Sequence, residues 1–115
     1  MNILVTNNPL CKEQLGHTYI VQFAEESPLA TLRRVRDFVH LGHFLITHPT
    51  AGGLPSGTSP YKSVVVSAKA CLPKPSDINS IEHTIASYEK SGLPTPKEHL
   101  DDFMMLDLAL VEGRN

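Results

Sequence analysis

Three features are missing from this sequence: a long apolar run, a dense basic tract and a cysteine pair. No stretch approaches the ~18 consecutive apolar residues needed to span a bilayer. Met1 to Leu10 carries no basic leader and stops at Thr6-Asn7-Asn8-Pro9, so the chain is expected to stay in the cytoplasm, away from membranes. Lysine and arginine number 10 against 12 aspartates and glutamates, for a net charge of −2. Without a basic tract, the electrostatic footprint of a nucleic-acid binder is absent. Cys11 and Cys71 are far apart and form no C-x-x-C, which suits buried or idle thiols in a reducing compartment. The order G-x-x-x-x-G-K-[ST], a G-x-G-x-x-G after the first apolar run, and H-E-x-x-H are also missing. No phosphate loop, dinucleotide cofactor or metal centre is therefore expected.

What remains is ordinary for a globular chain: 115 residues, 41% apolar and 19% charged, enough for one domain over 1–115 with a modest core. Asn2 to Thr6 predicts a strand buried on both faces, and Pro9 to Leu15 a short helix capped by Asn8 and ended by Gly16. Tyr19 to Phe23 predicts a second strand. Ser27-Pro28 opens a helix with Leu32, Val35, Phe38 and Val39 at helical spacing, ending at Gly42. Phe44 to Thr47 predicts a third strand, and His48 to Pro60 a long loop of glycine, proline and hydroxyls. Ser63 to Ser67, rich in valine, predicts a central strand. Ile78, Ile81, Ile85 and Tyr88 trace another helix. Thr95-Pro96-Lys97-Glu98 matches a capping box for a last short helix running to about Asp102. Phe103 to Val111, with eight apolar residues in nine, fits either a strand or a helix, and a strand is the reading preferred. Alternating strands and helices imply an α/β fold, a three-layer α/β/α sandwich with a mainly parallel sheet of about five strands in the order 2-1-3-4-5.

In such sheets ligands bind at the carboxyl ends of strands. That selects Asn7 and Asn8 after the first strand. It also selects Thr47, His48, Gly52, Gly53, Ser56, Thr58, Tyr61 and Lys62 in and around the long loop. Glycines permit close backbone approach to an anion, and Lys62 supplies countercharge. The ordinary alternative is a structural turn cluster. His48, at the start of the loop, has an intrinsic pKa suited to acid–base work and is the candidate catalytic residue. His40 and His43 flank a helix end, where imidazoles can favour the negative dipole terminus. Arg33, Arg34 and Arg36 read as a solvated face balanced by Glu25, Glu26 and Asp37, and Asp101-Asp102 as a solvated helix end.

Several short patterns carry a resemblance: Thr6-Asn7-Asn8-Pro9, Val35-Arg36-Asp37 with His40-x-Gly42-His43, Thr47-His48-Pro49, and Pro60-Tyr61-Lys62-Ser63. With Asp102-Phe103 followed by Leu106-Asp107, the chain resembles the GrdX-like family over most of its length. Members of that family are small proteins encoded beside glycine, sarcosine and betaine reductase components in amino-acid-fermenting anaerobes. The resemblance implies a genomic neighbourhood, with a glycine or betaine reductase component as a candidate partner, and no particular reaction.

Three functions follow as expectations. The first is a non-catalytic accessory or binding protein that takes a small anionic ligand or a reductase component. The second is a small enzyme in which His48 is acid or base and Lys62 stabilises negative charge. The third is an interaction protein, a homodimer through the apolar C-terminal segment.

Overall fold

The computed structural model describes residues 1–49, 59–91 and 98–113. Strand β1 spans Ile3–Thr6 and helix α1 Pro9–Leu15, followed by strand β2 at Ile20–Phe23 and helix α2 at Pro28–Leu41. Strand β3 spans Ser63–Val66, helix α3 Pro75–Ser91 and helix α4 Leu100–Val111. Among the described residues no helix is long and apolar enough to cross a membrane.

The sheet is small and mixed, in the order β2-β1-β3. β1 runs parallel to β2, with Ile3 opposite Ile20, and antiparallel to β3, with Thr6 opposite Ser63. This corrects the expected mainly parallel, five-stranded sheet. Two strands are missing for identifiable reasons. At Phe44 to Thr47 only Leu45 bridges to Val66. The amides of Ile46 and Thr47 both donate to the carbonyl of Val65, and the Leu45 N–H is taken at 3.0 Å by the Asp77 carboxylate at the start of α3. A ladder cannot propagate through a doubled acceptor and a capped donor.

The second correction is at Phe103 to Val111, which is helical. An almost unbroken apolar run carries no clear period, so packing decides it. Asp107 is the buried residue of α4, and Leu108 and Val111 pack towards Leu4 and Val65. Positions 107, 108 and 111 share one helical face but not one strand face. Thr95 to Lys97 lie outside the described residues, and the N-cap is His99, at φ 60 with no side-chain cap.

The strand order also departs from expectation, because Ser63–Val66 lies directly beside β1 and displaces 44–47 to the outside. Val64, Val65 and Val66 are 0%, 1% and 0% exposed. A strand apolar on both faces belongs in the interior of a sheet, whereas Phe44 and Ile46 remain exposed.

Helices cover both faces. On one, α2 and α3 pack Leu32, Val35, Val39, Ile81, Ile85 and Tyr88 on Ile3, Val5, Val64 and Val66. α2 begins at Ser27, whose hydroxyl accepts the Ala30 N–H at 3.1 Å. It ends at Gly42, in a left-handed conformation with φ 109, where a Cβ would stand 1.8 Å from the Cys71 carbonyl oxygen. No other residue fits there without moving the chain. On the other face, α1 and α4 enclose Leu4, Cys11, Leu15 and Val65.

Candidate functional site

Because β3 is antiparallel to β1, the residues entering β3 arrive where β1 ends. Asn7 and Lys62 are therefore adjacent. The Asn7 N–H donates to the Lys62 carbonyl at 3.3 Å, and Asn7 Oδ1 accepts the Lys62 N–H at 2.8 Å. Asn7 Nδ2 donates to the carbonyls of Glu26 and Pro60, each at 2.9 Å. The side chain, 4% exposed, thus fastens three chain segments and has no donor left over.

Asn8 is engaged just as fully. Its Oδ1 accepts the Leu10 N–H at 3.0 Å, the capping bond of α1. Its Nδ2 donates at 3.0 Å to both the Met104 carbonyl and Asp107 Oδ2. The expected ligand contacts Asn7 and Asn8 are internal fasteners in this fold.

The other expected site residues are placed as follows. Thr47 Oγ1 accepts the Val65 N–H at 2.9 Å. His48 is exposed just beyond it. Gly52, Gly53, Ser56 and Thr58 lie outside the described residues. Tyr61 donates its amide to Ser59 Oγ at 3.2 Å, and its phenol is pushed up by burial and by the charge of Asp101. Lys62 is half-buried, with Nζ 5.8 Å from the centroid of the Tyr88 ring. Burial lowers its pKa, and the negative charge of Asp107 partly opposes that shift.

Sequence reasoning missed a polar cluster beneath this edge. Asp107 Oδ2 accepts from Ser63 Oγ at 2.6 Å, from Asn8 Nδ2 at 3.0 Å and from Cys11 Sγ at 3.7 Å. With the Ser63 proton on Asp107, Thr6 is the donor in the 2.6 Å Thr6–Ser63 bond. Thr6 Oγ1 in turn accepts the Asn8 N–H at 2.9 Å. Burial holds the Asp107 carboxyl above its usual range despite these bonds and the Lys62 charge. The Cys11 thiol is pushed up to about 12 by burial and by Asp107, so it is an unreactive donor. One signal for this cluster was present in the sequence: Asp107 is the single charge within the apolar run 103–111.

The arginine face also differs from expectation. Arg33 and Arg36 form surface pairs with Glu89 and Glu82, each at 3.7 Å. Arg34 instead donates to Glu26 at 2.7 Å, to the Gln22 carbonyl at 3.0 Å and to the Thr6 carbonyl at 3.1 Å. It ties together the ends of β1 and β2. His43 bonds the Ser67 carbonyl at 2.7 Å, a structural contact. Among the described residues no three acids, histidines or cysteines are grouped to hold a metal ion. A cleft of about 320 Å³ at the start of α4 is lined by His99, Leu100, Asp101 and Asp102; its two carboxylates make it a poor anion site.

The family model described as GrdX-like protein matches residues 3–114. The chain belongs to the GrdX-like family. Neither a curated protein nor a solved structure matches it. For this GrdX-like chain, the match covers both the Asn7–Lys62 junction and the Asp107 cluster, so both sit within the family's domain.

Proposed function

We propose that this GrdX-like protein is a non-catalytic binding protein that takes a small anion at the sheet edge occupied by Lys62. The carrying observation is the Lys62 ammonium. It is half-buried and, among the described residues, has no carboxylate within ion-pair distance; Nζ lies 5.8 Å from the centroid of the Tyr88 ring. A partly desolvated ammonium without an ion pair is a favourable place for an incoming negative charge. Asn7, by bonding both the N–H and the carbonyl of Lys62, holds that residue in place rather than touching the ligand.

Calorimetric titration with phosphate, acetyl phosphate, glycine and nucleotides tests this. Binding in the millimolar range or tighter is expected, and Lys62→Ala should weaken it by about tenfold or more, the value of one charge-assisted hydrogen bond. Absence of binding at millimolar concentration overturns the reading. His48→Ala separates it from the enzymatic alternative, because an enzyme would lose turnover more than affinity.

A second reading, an interaction protein, is favoured by α4, which buries Asp107 while leaving Leu100, Met105 and Leu106 exposed. The partner proposed is a second copy of the chain, since a twofold axis buries one apolar patch against itself. Light scattering that gives the monomer mass across a wide concentration range overturns this reading. A reductase component remains the partner suggested by the resemblance, testable by co-purification of the two proteins.

A further inference from the structure

We propose that the outer edge of β2 pairs with the same edge of a second copy of the chain, antiparallel about a twofold axis at Gln22, so that two three-stranded sheets join into one. The inference uses neither the Lys62 edge nor the apolar patch of α4.

β2 is the open side of the sheet. The Ile20 N–H donates to the Asn2 carbonyl at 2.9 Å, and the Ala24 N–H, just past the strand, donates to the Thr6 carbonyl at 3.2 Å. With Ile3 opposite Ile20 and Val5 opposite Gln22, positions 20, 22 and 24 turn their backbone groups to β1. The intervening Val21 and Phe23 turn theirs away from the sheet, and no described residue bonds them. The opposite border is closed. There the Val65 carbonyl accepts the amides of Ile46 and Thr47, Thr47 Oγ1 accepts the Val65 N–H, and the Phe44 carbonyl accepts the Ser67 N–H.

Open edges that stay unpaired are guarded by lysine, proline or a bulge. Ile20-Val21-Gln22-Phe23-Ala24 contains no charge, no proline and no glycine, and its register against β1 is unbroken. What the edge carries is self-complementary. With the axis at Gln22, Val21 lies opposite the partner's Phe23, and each such pair exchanges both N–H···O bonds. Every outward backbone group of Val21 and Phe23 in the two strands is then satisfied. The exposed Gln22 side chains meet at the axis as a closely spaced pair, and each carboxamide offers the other a donor and an acceptor. Ile20, 45% exposed, comes to lie against the partner's Ala24. On the other face Val21 meets the partner's Phe23, a β-branched residue on an aromatic ring. No like charges are set together anywhere along the five positions.

The pairing is short against a standard interface of roughly 1,600 Å², so a weak dimer is expected, and sedimentation should be followed up to about 1 mM protein. Amide exchange in the unmutated protein should show Val21 and Phe23 becoming protected as concentration rises, a reading that needs no variant to fold. Val21→Pro removes an N–H that the intramolecular ladder does not use, a position where an edge strand tolerates proline. It should weaken the dimer by about tenfold or more. Gln22→Lys and Gln22→Glu, at an exposed side chain, should each weaken association by placing like charges across the axis, and mixing the two variants should restore it. A monomer at every concentration overturns the proposal. A dimer that survives Val21→Pro, leaves the two amides unprotected and is lost in Met105→Lys is an α4 pairing and also overturns it. Protected amides without rescue in the lysine and glutamate mixture overturn the axis at Gln22.

Discussion

On one face of the sheet, α2 and α3 close over Ile3, Val5, Val64 and Val66 with aliphatic side chains and a tyrosine ring. On the other, α1 and α4 close over Leu4 and Val65 together with a carboxylate, two hydroxyls, a carboxamide and a thiol. The same strands serve both faces, because alternate residues point in opposite directions. The first face is held by the non-directional removal of apolar area from water, and neighbouring side chains can repack around a change. The second depends on directional bonds, each of which leaves a buried polar atom exposed to desolvation when its partner is lost. The polar face is accordingly the one whose stability should respond to pH and to single-atom deletions.

The sharpest way to break the comparison is Val65→Asp, which adds a second, unpartnered carboxylate to the α1/α4 face at a position 1% exposed. A loss of about 4 kcal/mol or more is expected in chemical denaturation. A loss below ~1 kcal/mol would place β3 at the surface. On the aliphatic face, Leu32→Ala, at a fully buried position, should cost about 3 kcal/mol through lost transfer energy and a residual cavity, and that cost should be the same at acid and neutral pH.

Ser63→Ala should cost about 1 to 3 kcal/mol, since it removes the shortest donor to Asp107 and leaves Thr6 without its acceptor. Unlike the leucine change, its cost should shrink as pH falls, because a protonated Asp107 demands less of its donors. The smallest effect at acid pH belongs to Asp107→Asn. Asp107 has a folded-state pKa above its unfolded value. Its contribution is therefore most favourable below the unfolded carboxylate pKa and is lost as pH rises through the folded one. Replacement by asparagine should be near neutral in acid and become relatively stabilising above the folded pKa. Denaturation midpoints measured across pH for both proteins check this, and parallel curves would return Asp107 to an ordinary carboxylate.

Much of the aliphatic face was legible in the sequence. Ser27, Pro28 and Gly42 mark the ends of α2, and the spacing of Leu32, Val35 and Val39 marks its buried side. All three signals are local, determined by caps, φ angles and a 3.6-residue period. The Asn8 cap of α1 was legible for the same reason. Of the candidate site, Asn7 and Lys62 were legible as residues at strand ends, but their junction follows from the antiparallel pairing of β3 with β1, and neither that pairing nor the engagement of both carboxamides has a local signal.

The sequence by itself therefore determined the α/β class, the strong helix α2, the buried strands β1 and β3, and family membership through its short patterns. Tertiary structure alone decided that β3 pairs antiparallel beside β1, that 44–47 contributes one bridge instead of a strand, and that 103–111 is a helix. It also decided that Asn7 and Asn8 face inward. The physical reason is that strand pairing and the period of an all-apolar segment have no local energetic signature. They are set by which partner satisfies a buried amide or carboxylate, and the partners of Asp107 lie 44 to 99 residues away along the chain.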